Sequence, residues 1–409
     1  MKSQLALLLI LAGALHAQDQ NSRVAFIEKE RDAKTASLAP DEVSAAEQHL
    51  RTFKDGKYLE RIAAGYNGVR AKVGNMVTGG GFAIGPEYIR EDLLGGKLTT
   101  RASAQFSTRG YQKYEAQALL PRLAKGKVSL EGIAGHRNYS SLQYYGTGPK
   151  RTKDLRTNYR LEDAFVDGIV AVEPVPRIKL GASLGYLWTS AGPGNDKRFA
   201  STEGVFGHQT NFLRNGMFAQ YDSRDDQLGM AKSGGNYVFQ YSWFHDGGPQ
   251  RFGFRRMDIE LQQFVPFLNK TRVIALRAKT TLTETESNGQ IPFYLQPVLG
   301  GSEDLRGFRP FRFSDRNSMV MNAEYRWEIF SGLDGAVFAD AGKVFPRRGM
   351  LNFRELETSA GIGLRFNARN ATFMRFDAAF GPEGFQLWIK FNDIFSSRRF
   401  GTSTGQPVY

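Results

Sequence analysis

The chain has 409 residues, with 54 Lys and Arg against 41 Asp and Glu for a net charge of +13, and no cysteine. The lack of cysteine excludes disulfides, metal-thiolate sites and a lipid-modified cysteine. It carries 45 Gly, 31 Phe and 16 Tyr at a mean hydropathy of only −0.39, the mixture produced when strands alternate outward apolar with inward polar residues.

The chain opens with the pattern of a secretory signal over residues 1–17: Met1-Lys2 is a short positive start, Leu5 to Leu15 an apolar core, and Leu15-His16-Ala17 an acceptable cleavage site. That apolar run is shorter than the roughly 20 residues a membrane-spanning helix needs, and charged or small polar residues interrupt every later stretch. An exported chain of this kind is either soluble outside the cytoplasm or crosses a membrane as a closed barrel, the other way to satisfy backbone polar groups in lipid. Export excludes nucleic acid as a partner. The net positive charge then fits a basic lumen, or loops facing the phosphates of outer-membrane lipid and lipopolysaccharide.

Residues 18–62 are charged, Ala-rich and Gly-poor, and Pro40-Asp41 makes a fair helix start. We read a periplasmic segment of one or two short amphipathic helices. From residue 63 the period changes to two. Asn322, Glu324, Arg326 and Glu328 share one face, with Met321, Ala323, Tyr325, Trp327 and Ile329 on the other. Tyr237, Phe239, Tyr241 and Trp243 oppose Asn236, Gln240 and Ser242, and Phe385, Leu387, Ile389 and Phe391 oppose Gln386, Lys390 and Asn392. Turn signals divide residues 63–395 into strands at 65–74, 78–90, 96–108, 111–121, 127–139, 157–171, 177–190, 211–223, 235–245, 253–266, 271–284, 318–330, 333–345, 358–367, 371–380 and 385–395, leaving 396–409 as a tail. This predicts an all-β fold, a 16-stranded antiparallel transmembrane β-barrel.

Link lengths agree with that count, because membrane barrels alternate short periplasmic turns with longer outer loops. Short links such as Ala124-Lys125-Gly126, Pro174-Val175-Pro176 and Leu268-Asn269-Lys270 fall on one side. The long links 140–156, 191–210, 285–317 and 346–357 fall on the other. The medium turn 224–234 is the one misfit. The Gly-rich start, including Gly79-Gly80-Gly81, reads as weak first strands suited to a poorly paired seam, although Gly also marks ordinary barrel kinks.

Within the link 285–317, Gly300-Gly301-Ser302-Glu303-Asp304-Leu305-Arg306-Gly307-Phe308 resembles the Val/Ile-Arg-Gly-Phe/Tyr signature of the BamA/TamA superfamily of outer-membrane assembly barrels, or bacterial surface antigens. Tyr221-Asp222-Ser223-Arg224-Asp225 resembles the family's Asp-x-Arg-Asp strand end, and Phe338-Ala339-Asp340-Ala341-Gly342 its Phe-x-Asp-x-Gly strand. Gly361-Ile362-Gly363-Leu364-Arg365 and Arg375-Phe376-Asp377 resemble strands near its C-terminus. With Tyr145-Gly146-Thr147-Gly148-Pro149 the likeness spans roughly residues 145–395. Phe395 resembles the aromatic that ends the family's last strand, and fourteen residues follow it.

The resemblance implies that Arg306 meets Asp340 on the inner wall, with Asp377 a second candidate, so that Leu305, Arg306, Gly307 and Phe308 lock the long loop into the lumen. A guanidinium removed from bulk water needs carboxylates in bidentate geometry, and Gly307 lets the backbone approach the wall closely. Without the family, the same residues read as an exposed basic loop tip above unrelated lumenal acids. Asp222, Arg224 and Asp225 read as a charged strand end with a structural role.

No catalytic centre is expected. Gly181-Ala182-Ser183-Leu184-Gly185 matches the nucleophile-elbow pattern, which needs a helix after the serine, whereas Ile178 to Trp188 continue as strand. His49, His136, His208 and His245 lack metal-ligand spacing, and no cofactor or metal is expected. The resemblance implies a short family member without POTRA domains. Such a member would assist insertion or translocation of proteins or lipids at the bacterial outer membrane, by membrane thinning and opening between first and last strands. Its partners would be a periplasmic protein or unfolded barrel clients. The alternative is a passive, anion-favouring pore or a structural surface protein.

Overall fold

The two-residue alternation becomes sixteen strands in the computed structural model, which describes residues 29–30, 66–202, 210–226, 230–248, 252–285, 289–330, 332–368 and 371–395. The expected signal peptide, the helical segment apart from Lys29 and Glu30, and the tail lie outside the described residues, as do His49 and His208. In chain order the strands are β1 (Val69–Gly74), β2 (Ala83–Asp92), β3 (Leu98–Ser107), β4 (Gln112–Leu123), β5 (Val128–Tyr144), β6 (Thr157–Val175), β7 (Ile178–Pro193) and β8 (Phe212–Asp222). They continue as β9 (Gly234–Asp246), β10 (Phe254–Phe267), β11 (Arg272–Thr285), β12 (Asn317–Phe330), β13 (Leu333–Phe345), β14 (Glu357–Ala368), β15 (Ala371–Gly381) and β16 (Gly384–Lys390). Each pairs antiparallel with its sequence neighbour in one sheet that runs from β1 to β16. The sheet curls into a nearly closed barrel.

The pleat sends alternate residues to opposite faces, and the two faces meet different solvents. Outward side chains such as Leu184, Ile362 and Leu387 are each 60% exposed, a cost in water that a hydrocarbon belt removes. Tyr221 and Tyr237 stack at 6.0 Å, and Tyr325 lies 5.8 Å from Phe267 and 5.7 Å from Trp327. These rings sit on the outward face toward the short turns, the place of an interfacial aromatic girdle. Inward residues on the same strands are polar and buried, among them Asn236, Gln240, Asn322 and Glu324.

The short turns have tight geometry. Ala124 and Lys125 take φ of 47° and 62°, and Leu268, Asn269 and Lys270 take 48°, 55° and 64°, left-handed values typical of hairpin turns whose twist matches the strands. The medium turn expected at 224–234 is closed by Asp225, whose Oδ1 accepts the N–H groups of Lys232 and Ser233 at 2.9 and 3.1 Å.

Two expectations at the barrel's ends are corrected. Gly79-Gly80-Gly81 is not in a strand: residues 75–82 form the β1–β2 loop, where Gly79 and Gly81 take φ of 75° and 78° and Asn75 Nδ2 donates to the Gly81 carbonyl at 2.9 Å. The last strand ends at Lys390 and not at Phe395. Asp393 Oδ1 accepts the Phe395 N–H at 2.8 Å, which turns the chain inward. The Phe395 ring, 1% exposed, then packs on Phe264 at 5.5 Å.

No ladder joins β16 to β1 among the described residues. The ends approach through side chains, with the Phe391 ring 5.6 Å from Phe82. β1 and β16, with 6 and 7 residues, are the shortest strands of the barrel.

Candidate functional site: the lumenal loop and its arginine lock

The β11–β12 link folds into the barrel and fills its outer half. Its first described part is apolar and meets an aromatic ring of wall residues: Phe293 lies 5.0 Å from Tyr144 and 4.9 Å from Tyr159. Ile291, Tyr294 and Leu295 are buried in the same cluster as Phe212, Phe244 and Phe254. The loop then makes a small hairpin of its own, Val298–Leu299 paired with Phe313–Ser314. The Tyr145–Pro149 segment clamps that hairpin from outside. Gly148 N–H donates to the Ser314 carbonyl at 2.7 Å, and Thr147 Oγ1 to Gln296 Oε1 at 2.9 Å.

Between the two arms of the hairpin the chain turns through Gly300 and Gly301, at φ 115° and 110°, and carries Leu305 to Phe308 down to the wall. Leu305 and Phe308 are 0% and 1% exposed and pack with Leu299, Phe313, Val320 and Val344. This apolar grip holds the tip while the polar residues between reach the strands.

Arg306 is fully buried. Its Nε and Nη2 donate to Asp340 Oδ2 and Oδ1 at 2.9 and 2.7 Å, a bidentate fork, and its backbone N–H adds a third bond to Oδ2 at 3.1 Å. Nη1 donates to Glu324 Oε1 and lies 3.7 Å from Asp377 Oδ2. The guanidinium carbon sits 3.4 Å above the Phe338 ring, so the cation is stacked as well as paired. Asp340 is thus the main partner of Arg306, with Asp377 at the edge.

The acids are shared with a second tier of cations. Arg365 donates to Glu324 at 2.9 Å and Asp377 at 2.6 Å. Arg326 bridges Glu324 at 2.8 Å and Asp393 at 2.9 Å. Arg375 reaches the Ser302 carbonyl at 2.6 Å and Glu303 at 3.1 Å, and Lys390 is 3.4 Å from Glu303. Cations and carboxylates alternate, so each buried charge has opposite neighbours, the condition under which such a cluster survives desolvation.

Sequence reasoning named Arg306, Asp340 and Asp377 but not Glu324, Arg326, Arg365, Asp393 or Glu303 as members of the network. Strand parity was the available signal for most of them: Glu324 and Arg326 belong to the polar face already assigned to the lumen, and Arg365 ends one of the family-like strands. Trp388 was also missed. It shares the inner face of β16 with Lys390, and its Nε1 donates to the Arg306 carbonyl at 2.7 Å. Trp388→Phe should keep the packing and lose that bond, lowering resistance to urea unfolding in detergent by about 1 kcal/mol. An unchanged midpoint would show that this bond contributes nothing.

Asp222, Arg224 and Asp225 are not part of this cluster. Asp222 holds Arg224 in a fork at 2.9 and 2.7 Å, and Asp225 closes the turn that follows, with Lys270 at 3.3 Å. Ser183 lies in mid β7, paired in register with Ile169 and Gly216, and the strand runs on to Pro193.

The Omp85 superfamily domain matches residues 93–387. Among solved structures, BamA from Haemophilus ducreyi lacking POTRA domains 1–3 superposes with a TM-score of 0.62 at 14% identity, covering 80% of this chain and 69% of that one. CdiB from Escherichia coli gives 0.58 at 13%, covering 80% and 62%. CdiB from Acinetobacter baumannii gives 0.50 at 12%, covering 79% and 57%. The chain thus spans less than two thirds of either CdiB. No curated protein matches the sequence.

Proposed function

The chain belongs to the Omp85 superfamily, and from that premise we propose that it sits in a bacterial outer membrane and assists the insertion or translocation of proteins or lipids there. The observation that carries this reading is a contrast within one barrel. The lumen is closed on the loop side by a hairpin held through a buried arginine cluster, while the β1–β16 edge has the two shortest strands and, among the described residues, no ladder across it.

A barrel built to pass solutes through its centre leaves the centre open. Here the weak line is lateral, facing lipid, where an unpaired strand edge is a template for a client strand. A short edge also thins the hydrophobic belt locally, which lowers the barrier to inserting an adjacent segment. Locking the loop serves this role by keeping the rest of the wall rigid while the seam moves. We assign the protein no covalent chemistry.

Depleting the protein and profiling the outer membrane tests this reading. We expect a defined set of barrel proteins, or of lipids in the outer leaflet, to fall in the membrane fraction while soluble exported proteins persist. An unchanged outer-membrane profile would leave only the passive pore or structural role.

A further inference from the structure

The β13–β14 loop, residues 346–356, leans over the membrane-facing side of the barrel, and both of its polar anchors are on outward-facing positions. Lys343 on β13 donates to Asn352 Oδ1 at 2.7 Å and to the Arg354 carbonyl at 3.1 Å. Arg348 Nη1 lies 3.3 Å from Glu284 Oε2 on β11. Because β11, β12 and β13 are adjacent, the loop crosses three strands as a ledge. Beneath it, outward Leu282, Met319 and Phe345 are 7%, 5% and 1% exposed, with Leu356 packed against them.

The ledge itself shows an unusual surface. Met350, Leu351 and Phe353 are 45%, 45% and 73% exposed, interleaved with Arg347, Arg348 and Arg354, against one carboxylate of the loop, Glu355, and the Glu284 anchor. Exposed apolar side chains beside guanidiniums on a membrane-facing rim suit the boundary between acyl chains and phosphates. The Arg348–Glu284 pair is solvent-exposed on both sides, at 39% and 54%, and holds Arg348 too weakly to compete with a phosphate.

Directly below the ledge the outer face is hollowed into a recess of about 900 Å³. Its floor is set by register: Leu276, Ala323, Ala339 and Ala360 lie side by side across β11 to β14, and Ala341 sits in the next row toward the ledge. Lys343 is two residues above Ala341 on the same face, about 7 Å along the strand, and there it holds the Asn352–Arg354 part of the ledge.

We propose that ledge and recess together bind one phosphorylated, acylated lipid of the outer leaflet, an acyl chain in the alanine-floored recess and the phosphate on Arg347, Arg348 and Arg354. Charge complementarity and position select this occupant: the recess opens into the hydrocarbon belt, and the ledge on its outer side carries Arg347, Arg348 and Arg354. The inference rests on the transmembrane barrel and the outward side of its long loops, and it is independent of the assembly role. Failure of the depletion experiment leaves it standing, and its own failure leaves the assembly role standing.

The test is native mass spectrometry of the full chain purified in detergent, titrated with dimyristoyl phosphatidic acid, dimyristoylglycerol or inorganic phosphate. Phosphatidic acid should give a one-to-one adduct. Dimyristoylglycerol should bind at least about tenfold more weakly, and phosphate alone should give no adduct. Two variants should each weaken the phosphatidic acid adduct by about tenfold: the triple change R347Q/R348Q/R354Q, which removes the phosphate contacts, and Ala339→Trp, which fills the recess from the lipid side. Heat-modifiable migration in SDS gels verifies that both variants are folded. Equal adducts in the wild type and both variants, or equal binding of dimyristoylglycerol, would overturn the proposal. So would a dimer abolished by Ala339→Trp, which would give the recess to a second copy of the chain.

Discussion

Arg306→Glu should lose about 3–5 kcal/mol of stability, enough to abolish the compact, heat-modifiable form of the barrel in cold SDS gels. The substitution removes the fork to Asp340 and the bond to Glu324 and sets a fourth carboxylate among Asp340, Glu324 and Asp377, in a site with no exposed surface. Adding Asp340→Arg should recover part of the loss by restoring one opposite pair across the same gap. Recovery should stay incomplete, because Glu324 still faces the new carboxylate and the stacking of a guanidinium on Phe338 is not rebuilt. Unchanged heat-modifiability and unchanged function in Arg306→Glu would contradict the reading of the loop as a lock.

Gly307→Val should be the next most damaging change. A Cβ on Gly307 would lie 2.5 Å from Ser359 Cβ, 2.9 Å from the Phe380 carbonyl oxygen and 3.0 Å from Gly381 N. Two of those three atoms are backbone of the wall, which cannot move aside. The tip must then lift, breaking the Gly307 N–H bond to Ser359 Oγ at 3.1 Å and loosening the Arg306 fork next to it. Overpacking of this kind costs about 1–3 kcal/mol. Gly307→Ala should be milder, and Ser359→Gly in that background should recover part of the loss by removing the nearest clash. A Gly307→Val barrel as resistant to urea as the wild type would show that the approach is not tight.

Much of this architecture was legible because a barrel wall is a strict two-residue code. The alternation around Asn322 to Ile329 assigned both faces of β12, and link length assigned the two ends. Legibility failed where local chemistry overrides the period. Three consecutive glycines near residue 80 read as weak strand, yet the left-handed backbone at Gly79 and Gly81 makes a loop. At the C-terminal end, aromatic alternation continues past Lys390, but Asp393 captures a backbone N–H and turns Phe395 into the lumen. At the lock, the resemblance supplied Arg306 with Asp340, a single pair. The shared arrangement of Glu324 among three arginines depends on how β12, β13 and β14 align in register, which no one strand's sequence states. The ledge of residues 346–356 was invisible for the same reason, since a long outer loop gives no sign of which way it folds.

The central claim is that the long loop, held through Arg306, closes the barrel from within, and planar-bilayer recording tests it most directly. Purified wild-type protein should hold the membrane near its unmodified resistance, with at most brief openings. A folded variant with a weakened lock, such as Gly307→Ala, should open more often and for longer. Large, steady, anion-selective conductance from the wild type, unaffected by Gly307→Ala, would contradict the account and assign the protein to the passive pores.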